Sequence, residues 1–277
     1  MAARLLLPDV TLCCVDTRSP ELAWHAIELC LAQAQFGETL FIGPNGWSPP
    51  ENCPAPVRYI SIEPLKGINA YSDFLLKRLA PHIQTSHVLI IQWDGFVLRP
   101  DLWMPEFLAY DYIGPPWYHG GHPGMVGNGG FSLRSNRLLN ALTHFDAPPN
   151  EPEDVVICRD LRPELERLHN IQFAPLNVAQ LFGCEYGPWR DAFGFHGMHN
   201  FAHFMPDQQL SAWLEQAPAD ILSNKHTRKL IKELMRNKRA RLAIALIKRR
   251  SKVLGWTVDQ CLLVARALCH QATGLGR

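Results

Sequence analysis

An acidic residue directly after a strongly apolar segment is the first candidate for chemistry in this sequence. Residues 88–91 are four consecutive aliphatic residues, and Gln92, Trp93 and Asp94 follow them. A short apolar run bounded by polar residues predicts a strand buried on both faces. A carboxylate at the carboxyl end of such a strand lies where open α/β sheets bind ligands, and its oxygens suit a hard divalent cation that holds a phosphate-bearing substrate. The alternative is an ordinary turn, because Asp followed by Gly is a common strand exit.

Two adjacent carboxylates, Glu153 and Asp154, form the second candidate. They follow a Pro-rich turn at residues 148–152. Transfer of a group to a hydroxyl needs a base that takes the hydroxyl proton, and a positioned carboxylate can be that base. The alternative is a helix amino terminus that carries acids because the helix dipole stabilises them.

A glycine-rich segment, Gly127-Asn128-Gly129-Gly130, is the third candidate. It is not the dinucleotide fingerprint, because no G-x-G-x-x-G follows the first strand. Its glycines permit close approach of a ligand to the backbone, and Asn128 can donate to and accept from sugar hydroxyls. The alternative is a tight loop that needs a positive φ.

The elements that must position these residues alternate between strand and helix over the first 100 residues. The sequence predicts these strands and helices, in chain order: strand 10–15, helix 20–36, strand 40–42, strand 57–60, helix 71–82 and a strand from 87. This alternation predicts βαβ units and a largely parallel sheet. Residues 131–135 begin a strand or a helix, residues 136–143 have a helical pattern, and from Pro206 onward the pattern is helical throughout.

Length and composition predict one large domain, or one domain with an appendage. The chain has 277 residues, of which 47% are hydrophobic, and no apolar run approaches the roughly 18 residues of a membrane span. The amino terminus reaches Pro8 too soon for a signal peptide, so a cytoplasmic location is expected. The eight cysteines show no C-x-x-C spacing, which predicts neither a zinc site nor a disulfide framework.

The net charge of +1 conceals a strong asymmetry. Residues 1–224 carry 13 Lys and Arg against 24 Asp and Glu, whereas residues 225–277 carry 14 against 2. A basic amphipathic helix within 225–252 suits the anionic face of a membrane. The alternative is a helical hairpin that packs on the acidic body. Nucleic-acid binding is not expected, because neither interleaved aromatic residues nor a known motif accompanies the charge.

Four segments taken in order resemble the glycosyltransferases of the GT-A fold. They are Gln92-Trp93-Asp94, the Gly-Asn-Gly-Gly-Phe-Ser-Leu-Arg-Ser run at 127–135, Glu153-Asp154 and the Phe-Gly-Phe-His-Gly run at 193–197. More narrowly, the chain is similar to a little-characterised bacterial family of DUF5672-like proteins with Q-x-D, G-N-G-G-F-S-L-R-S and F-G-F-H-G motifs. The resemblance covers roughly residues 8–204. It implies a Rossmann-like α/β fold with a mostly parallel mixed central sheet.

The resemblance also implies roles for the residues that could do chemistry. Asp94 occupies the last position of the Asp-x-Asp motif that holds Mn²⁺ or Mg²⁺ against the donor diphosphate, and Gln92 replaces the first acid. His196 matches the late histidine that completes the metal site, with a structural loop histidine as the alternative. Asp154 matches the catalytic base, and Glu153 is the second choice for that role.

Further donor and acceptor contacts are carried over by position. The resemblance places Asp16, Thr17 and Arg18 near the donor base or ribose, and Lys77 near its phosphates, although an exposed helix face is the alternative for Lys77. Trp93 is expected at the donor, and Trp117 could stack on a sugar ring or belong to the core. Asn128, Gly129 and Gly130 are expected to contact the sugar or the acceptor.

The sequence therefore predicts a GT-A-like domain at residues 1–205 and a basic helical extension at 206–277. The expected activity is metal-dependent, inverting transfer of a sugar from a nucleotide-diphosphate donor to a glycan or a lipid-linked acceptor. The expected location is cytoplasmic, with peripheral contact at the inner face of a membrane through 225–252. Two alternatives stay open: a non-catalytic module that binds nucleotide sugars or glycans, favoured by Gln92, and a nucleotidyltransferase or phosphohydrolase on a similar fold.

Overall fold

The computed structural model describes residues 4–53, 55–118, 125–145, 148 and 150–274. The chain forms two compact units, Met1–His196 and Gly197–Arg277. The boundary expected from the sequence, between residues 205 and 206, stays a prediction.

The first unit is built on a mixed sheet with six strands in its described part. In chain order the strands of this sheet are β1 (Leu5–Val15), β2 (Ala34–Pro44), β3 (Arg58–Ile62), β4 (His87–Ile91), β5 (Tyr112–Ile113) and β6 (Phe131–Ser135). Their spatial order is β3-β2-β1-β4-β6-β5. The first four strands pair in parallel with one another, β6 is antiparallel to β4, and β5 is antiparallel to β6. The predicted α/β class with a mostly parallel mixed sheet is confirmed.

Helices connect these strands and follow them. In the first unit they are α1 (Pro20–Gln33), α2 (Gly67–Asp73), α3 (Asn136–Leu142), α4 (Glu153–Val155), α5 (Arg162–His169) and α6 (Leu176–Phe182). Two π-helical segments, Phe74–Arg78 and Val156–Asp160, continue α2 and α4 directly. A short parallel pair, β7 (Gly183–Cys184) and β8 (Gly194–Phe195), completes the unit.

The predicted boundaries fail where tertiary packing overrides local pattern. Helix α1 ends at Gln33 and β2 begins at Ala34, earlier than the predicted helix end at residue 36. Gly37 explains part of the difference, because a Cβ at this position would overlap the backbone of Pro8 in the paired strand. The predicted helix at 71–82 is instead α2, a π-helical segment and a 3₁₀ turn at Ala80–His82.

One apolar cluster holds the sheet against its helical layer. Val15 of β1, Ile42 of β2 and Ile90 of β4 are buried in it together with Phe74 and Leu75 from the segment after α2. A continuous apolar strand such as β4, buried at all five positions, is expected when helices cover both faces of a parallel sheet. The cluster therefore fixes the strands whose carboxyl ends carry the candidate site.

The second unit is helical in its described part. After a 3₁₀ turn at Met198–Asn200 its helices are α7 (Phe201–Phe204), α8 (Asp207–Gln216), α9 (Ala219–Ser223), α10 (Lys225–Arg236), α11 (Ala240–Leu254) and α12 (Val258–Gly274). Leu230, Leu234 and Leu246 are fully buried, so the apolar faces of α10 and α11 lie inside this unit. Arg228 of α10 forms a bidentate pair with Asp259 of α12. The strongly amphipathic pattern at 225–252 is thus used for packing among helices.

Two findings bear on predictions about the whole chain. In the part that the structure describes, no helix is both long enough and apolar enough to cross a membrane. All eight cysteines are free thiols, and five of them are buried, where they act as small apolar side chains.

Candidate active site

The topology brings two strand ends and one strand beginning to the same edge of the sheet. Ile91, the last residue of β4, lies opposite Phe131, the first residue of the antiparallel strand β6, and β4 is also paired with β1. Asp16 follows β1, Asp94 follows β4, and residues 127–130 precede β6. We call this the carboxyl edge, and it is where open α/β sheets bind ligands.

His196 reaches the carboxyl edge from β8. Gly194 of β8 lacks the side chain that would overlap the ring of Phe131, so β8 can pack directly on β6. The backbone N–H of His196 donates to the carbonyl of Cys184, 2.9 Å away. Its Nε2 then lies 3.4 Å from Oδ1 of Asp94 and 3.2 Å from Oε1 of Gln92. Three of the predicted donor and metal residues therefore converge.

A second carboxylate faces the other nitrogen of the same imidazole. Oε1 of Glu185 lies 3.3 Å from Nδ1 of His196. Burial by itself would lower the pKa of His196, but the charges and hydrogen bonds of Asp94 and Glu185 outweigh it and raise the pKa to about 10. Glu185 is itself buried. A carboxylate on the far nitrogen of a histidine fixes the orientation of its ring, as in carboxylate–histidine–metal arrangements.

Asn128 connects this cluster to the loop backbone. It has φ 72° and a buried side chain, a left-handed conformation that Asn tolerates better than most residues. Its Oδ1 accepts hydrogen bonds from the N–H groups of Gly130 and Phe131, and its Nδ2 lies 3.0 Å from Nδ1 of His196. The side chain predicted to contact sugar is therefore engaged in holding the loop, and its sugar-binding role stays a prediction.

The neighbouring glycines make room for side chains of the site. A Cβ on Gly130 would overlap the imidazole of His196, and a Cβ on Gly129 would overlap the carboxylate of Glu153. Gly127 lies so close to the indole of Trp117 that a Cβ there would also overlap it. The sequence predicted that a ligand would approach the backbone of these glycines closely. In the structure, side chains of the protein itself make this close approach.

Asp154 contacts the backbone of the same loop. Its Oδ2 accepts from the backbone N–H of Asn128 at 3.1 Å, and its Oδ1 accepts from the N–H of Val155 at 3.0 Å. Burial, with the charge of Glu153 second, raises the pKa of Asp154 to about 6, although the charge of Arg134 opposes the rise. A carboxyl with this pKa is mostly ionised at neutral pH and still basic enough to accept a proton.

Glu153 is held by a buried cation. Nη2 of Arg134 donates to Oε1 of Glu153 at 3.0 Å, and the two side chains are 0% and 5% exposed. Nε of Arg134 donates to Oγ of Ser132, and its guanidinium lies over the ring of Tyr112. Glu153 is therefore committed to an ion pair inside the protein, which distinguishes it from its neighbour Asp154.

The predicted donor contacts after β1 form a tight turn. Oδ1 of Asp16 accepts from the N–H groups of Arg18 and Ser19 at 2.7 and 2.8 Å. Burial raises the pKa of Asp16, and the charge of Asp94 contributes to the rise. The hydroxyl of Thr17 accepts from the N–H of Leu65. Asp16 is thus electrostatically linked to the cluster, while Arg18 is exposed.

The remaining predicted residues lie at different depths. Trp93, between Gln92 and Asp94, is partly exposed at the carboxyl edge, whereas Trp117 is buried. Lys77 is partly buried in the π-helical segment that follows α2. Tyr71 of α2 accepts a hydrogen bond from Gln92, and Lys77 is six residues further on, which corresponds to about 9 Å along a helix.

The nitrogen and oxygen atoms that could ligate a metal at the carboxyl edge fit a small divalent ion with few protein ligands. Nε2 of His196 lies 3.4 Å from Oδ1 of Asp94 and 3.2 Å from Oε1 of Gln92. Ligand atoms with bonds of about 2.1 Å at right angles lie about 3 Å apart. Within the described ranges, no group of three or more His, Cys, Asp and Glu side chains forms a metal site. The ion would therefore depend on oxygens from a bound ligand as well.

A sizeable cavity lies elsewhere. It has a volume of about 640 Å³ and is lined by residues around the beginnings of β2 and β3, including Gln35, Glu38 and Arg58. Arg58 and Glu38 are paired with each other there. The cavity is at the amino ends of the strands, opposite the candidate site, and contains none of the predicted site residues.

Sequence reasoning missed three residues of the site: Tyr71, Arg134 and Glu185. Arg134 belongs to the recognised 127–135 run, and Glu185 lies in a Gly- and aromatic-rich stretch, but neither had a spacing that connected it to a partner. A charged residue among the apolar residues of a short segment, as Arg134 is in Phe131–Ser135, was the available signal.

Comparison with solved structures finds glycosyltransferases at low similarity. Galactosyltransferase LgtC in complex with donor and acceptor sugar analogs is 12% identical with a TM-score of 0.41, covering 75% of this chain and 100% of that chain. An active-site mutant of LgtC is 11% identical with a TM-score of 0.38, covering 68% and 86%. The glycosyltransferase GlyE of Streptococcus pneumoniae TIGR4 is 12% identical with a TM-score of 0.34, covering 62% and 42%. Similarity this low carries no argument about the activity of this chain.

No curated protein matches the sequence. The family described as "Protein of unknown function (DUF5672)" matches residues 55–196, just over half of the chain. The matched stretch begins before β3, ends at His196 and contains Asp94, the 127–130 loop and Asp154. The membership expected from the sequence motifs is confirmed: the chain belongs to the DUF5672 family.

Proposed function

We propose that this protein is a glycosyltransferase that moves a sugar from a nucleotide-diphosphate donor to a hydroxyl of a glycan or a lipid-linked acceptor. The observation that carries the proposal is the arrangement around the 127–130 loop. Asp94 and Gln92 lie against His196, and both His196 and the partly buried carboxyl of Asp154 contact Asn128 of this loop. Group transfer from a diphosphate needs both a cationic environment and a base.

Asp154 is the proposed base. Its carboxyl, held by two backbone N–H groups, has a raised pKa of about 6 and would take the proton of the acceptor hydroxyl. That hydroxyl oxygen forms the new bond to the anomeric carbon while the bond to the diphosphate oxygen breaks. Direct attack of this kind inverts the anomeric configuration. Glu153 is a weaker candidate, because Arg134 already binds its carboxylate.

The leaving diphosphate is proposed to bind at the carboxyl edge. Asp94, His196 and Gln92 would hold Mn²⁺ or Mg²⁺, which when bound neutralises the charge of a leaving phosphate as a Lewis acid. Glu185 would keep the imidazole of His196 oriented through Nδ1. The turn at Asp16 is proposed to face the nucleoside. Trp93, Gly129 and Gly130 stay proposed contacts of the donor sugar and the acceptor.

The test is donor turnover by the purified full-length chain. A panel of nucleotide-diphosphate sugars is incubated with Mn²⁺, with Mg²⁺ or with EDTA, and release of nucleoside diphosphate is followed. Asp154→Asn should lower turnover at least a hundredfold, the lower range for loss of a general base, while calorimetry shows unchanged donor binding. Failure of every donor to bind would refute the proposal, and full turnover by Asp154→Asn would remove that residue from its role.

Gln92 supports a second candidate, a module that binds nucleotide sugars without transferring them. An amide brings no negative charge to an ion, so ligand binding there would be less dependent on a metal. Donor affinity that is unchanged by EDTA, without any product, would favour this alternative.

Release of pyrophosphate instead of nucleoside diphosphate would indicate a nucleotidyltransferase.

A further inference from the structure

The end of the second unit exposes an unusually apolar surface. Residues 252–258, which run from the end of α11 to the first residue of α12, are all exposed. Trp256 is 61% exposed and Val258 is 78% exposed, and Val253 and Leu254 are each 40% exposed. Isolated exposed apolar residues are common, but a contiguous group indicates a binding surface.

The outward side of α12 extends this surface. Gln260, Leu263 and Ala267 are buried and form the inner side of the helix, whereas Leu262 and Leu268 are 53% and 52% exposed. At about 100° per residue, the exposed positions Val258, Cys261, Leu262, Ala265 and Leu268 fall on one side of the helix, opposite the buried ones. The apolar stripe is therefore a second face of α12, separate from the face that packs inside the unit.

The same two helices also expose cations. Arg241, Lys248 and Lys252 are exposed on α11 at a spacing of seven and four residues, which places them on one side of that helix, and Arg266 is exposed on α12. Residues 225–277 carry 14 Lys and Arg against 2 Asp and Glu. A symmetric contact with the same surface of a second copy would bring together like positive charges, which is costly. The charge instead complements an anionic surface.

We propose that residues 253–268, with Trp256 at the turn, act together with the exposed cations of α11 to seat the protein on an anionic lipid surface. Trp256 and the leucines of α12 would enter the interfacial region of one leaflet, where tryptophan is favoured, while Lys248 and Lys252 bind lipid phosphates. The buried leucines of α10 and α11 do not take part. The proposal concerns location and holds whether or not the protein transfers a sugar.

The experiment measures co-sedimentation of the full-length protein with vesicles. Phosphatidylcholine vesicles are compared with vesicles that also contain phosphatidylglycerol. Binding is expected only with the anionic vesicles and should weaken at high salt. Lys248→Ala with Lys252→Ala should weaken partitioning about 25-fold, since each cation near such a surface contributes about fivefold.

The apolar part is tested with Trp256→Glu and Leu262→Glu, which should abolish binding to anionic vesicles. Leu168→Glu is the matched control, because Leu168 on α5 of the first unit is 55% exposed and should not affect vesicle binding. Absence of binding to anionic vesicles would overturn the proposal, as would equal loss with Leu168→Glu. A dimer that Trp256→Glu converts to monomer would also overturn it, because the surface would then join two copies.

Discussion

Replacing Asp154 by Asn should make the protein more stable at alkaline pH while it removes the proposed base. The carboxyl is partly buried beside Glu153, and its pKa rises from the ordinary 3.8 to about 6. The folded state therefore holds this proton more tightly than the unfolded state does. Keeping the group ionised inside the fold costs free energy, and the neutral amide of Asn avoids that cost.

The magnitude follows from the pKa difference. A rise of about two units corresponds to about 3 kcal/mol of lost stability once the pH is above both pKa values. Asn retains only one acceptor for the N–H groups of Asn128 and Val155, which both donate to Asp154, and a lost hydrogen bond costs about 1 kcal/mol. The net gain for Asp154→Asn is then about 2 kcal/mol at pH 8.

The sign of the pH dependence is fixed by linkage. A carboxyl with a raised folded-state pKa contributes stability that is fully present below the unfolded pKa and lost as the pH rises through the folded pKa. From pH 5 to pH 8 the free energy of unfolding of the wild-type protein should therefore fall by about 1.4 kcal/mol relative to that of Asp154→Asn. Urea unfolding of both proteins at pH 5, 6, 7 and 8 measures this difference.

The control is Asp101→Asn. Asp101 is exposed, and its hydrogen bond with Arg99 lowers the pKa of its carboxyl below the ordinary value. Its charge is complete in both states above pH 5, so the effect of Asp101→Asn should not vary across this range. If Asp154→Asn lowers stability at pH 8, or by the same amount at every pH, then Asp154 is an acid stabilised at a helix amino terminus and the assignment of the base is wrong.

Two further predictions concern the supports of the site. Arg134→Met and Glu153→Leu should each lower the free energy of unfolding by about 3–5 kcal/mol, because each leaves a buried charge without its partner. The double variant should lose less stability than the sum of the two single losses. Urea unfolding measures these losses, and additive values would contradict the ion pair. Gly130→Ala should lower the free energy of unfolding by about 1–3 kcal/mol and weaken donor binding, because its Cβ would displace the imidazole of His196. Unchanged donor affinity in calorimetry together with unchanged thermal stability would contradict this prediction.

The parallel part of the fold was predictable because its signals are local. The aliphatic run of β4 and the alternation of strands with helices determined the sheet class, and α3 at Asn136–Leu142 agrees closely with the predicted 136–143. The strand at Phe131–Ser135 stayed ambiguous in the sequence, since a five-residue segment fits either period. Its pairing with β4 decides the matter, and that pairing is a long-range event.

The site was less predictable, because its essential contacts join residues far apart in the chain. Glu185 acts on His196 across 11 residues, and Gln92 reaches the same ring across 104. Single residues such as Asp94 and Asp154 could be proposed from strand ends and motifs. The different roles of two neighbouring acids could not be predicted. Glu153 and Asp154 are adjacent in the sequence, and only the position of Arg134 shows that Glu153 is the ion-paired carboxylate and Asp154 the candidate base.

Asn128 shows why the two halves of the site should respond together. Its N–H donates to Asp154, its carbonyl accepts from the hydroxyl of Tyr112, and its side chain lies against His196. The left-handed backbone at this residue turns the loop so that both contacts are made at once. A ligand that draws His196 toward a phosphate would therefore act on the residue that orients the base. If the proposed function is correct, donor binding and base positioning are coupled through this one residue, by its side chain at His196 and its backbone N–H at Asp154.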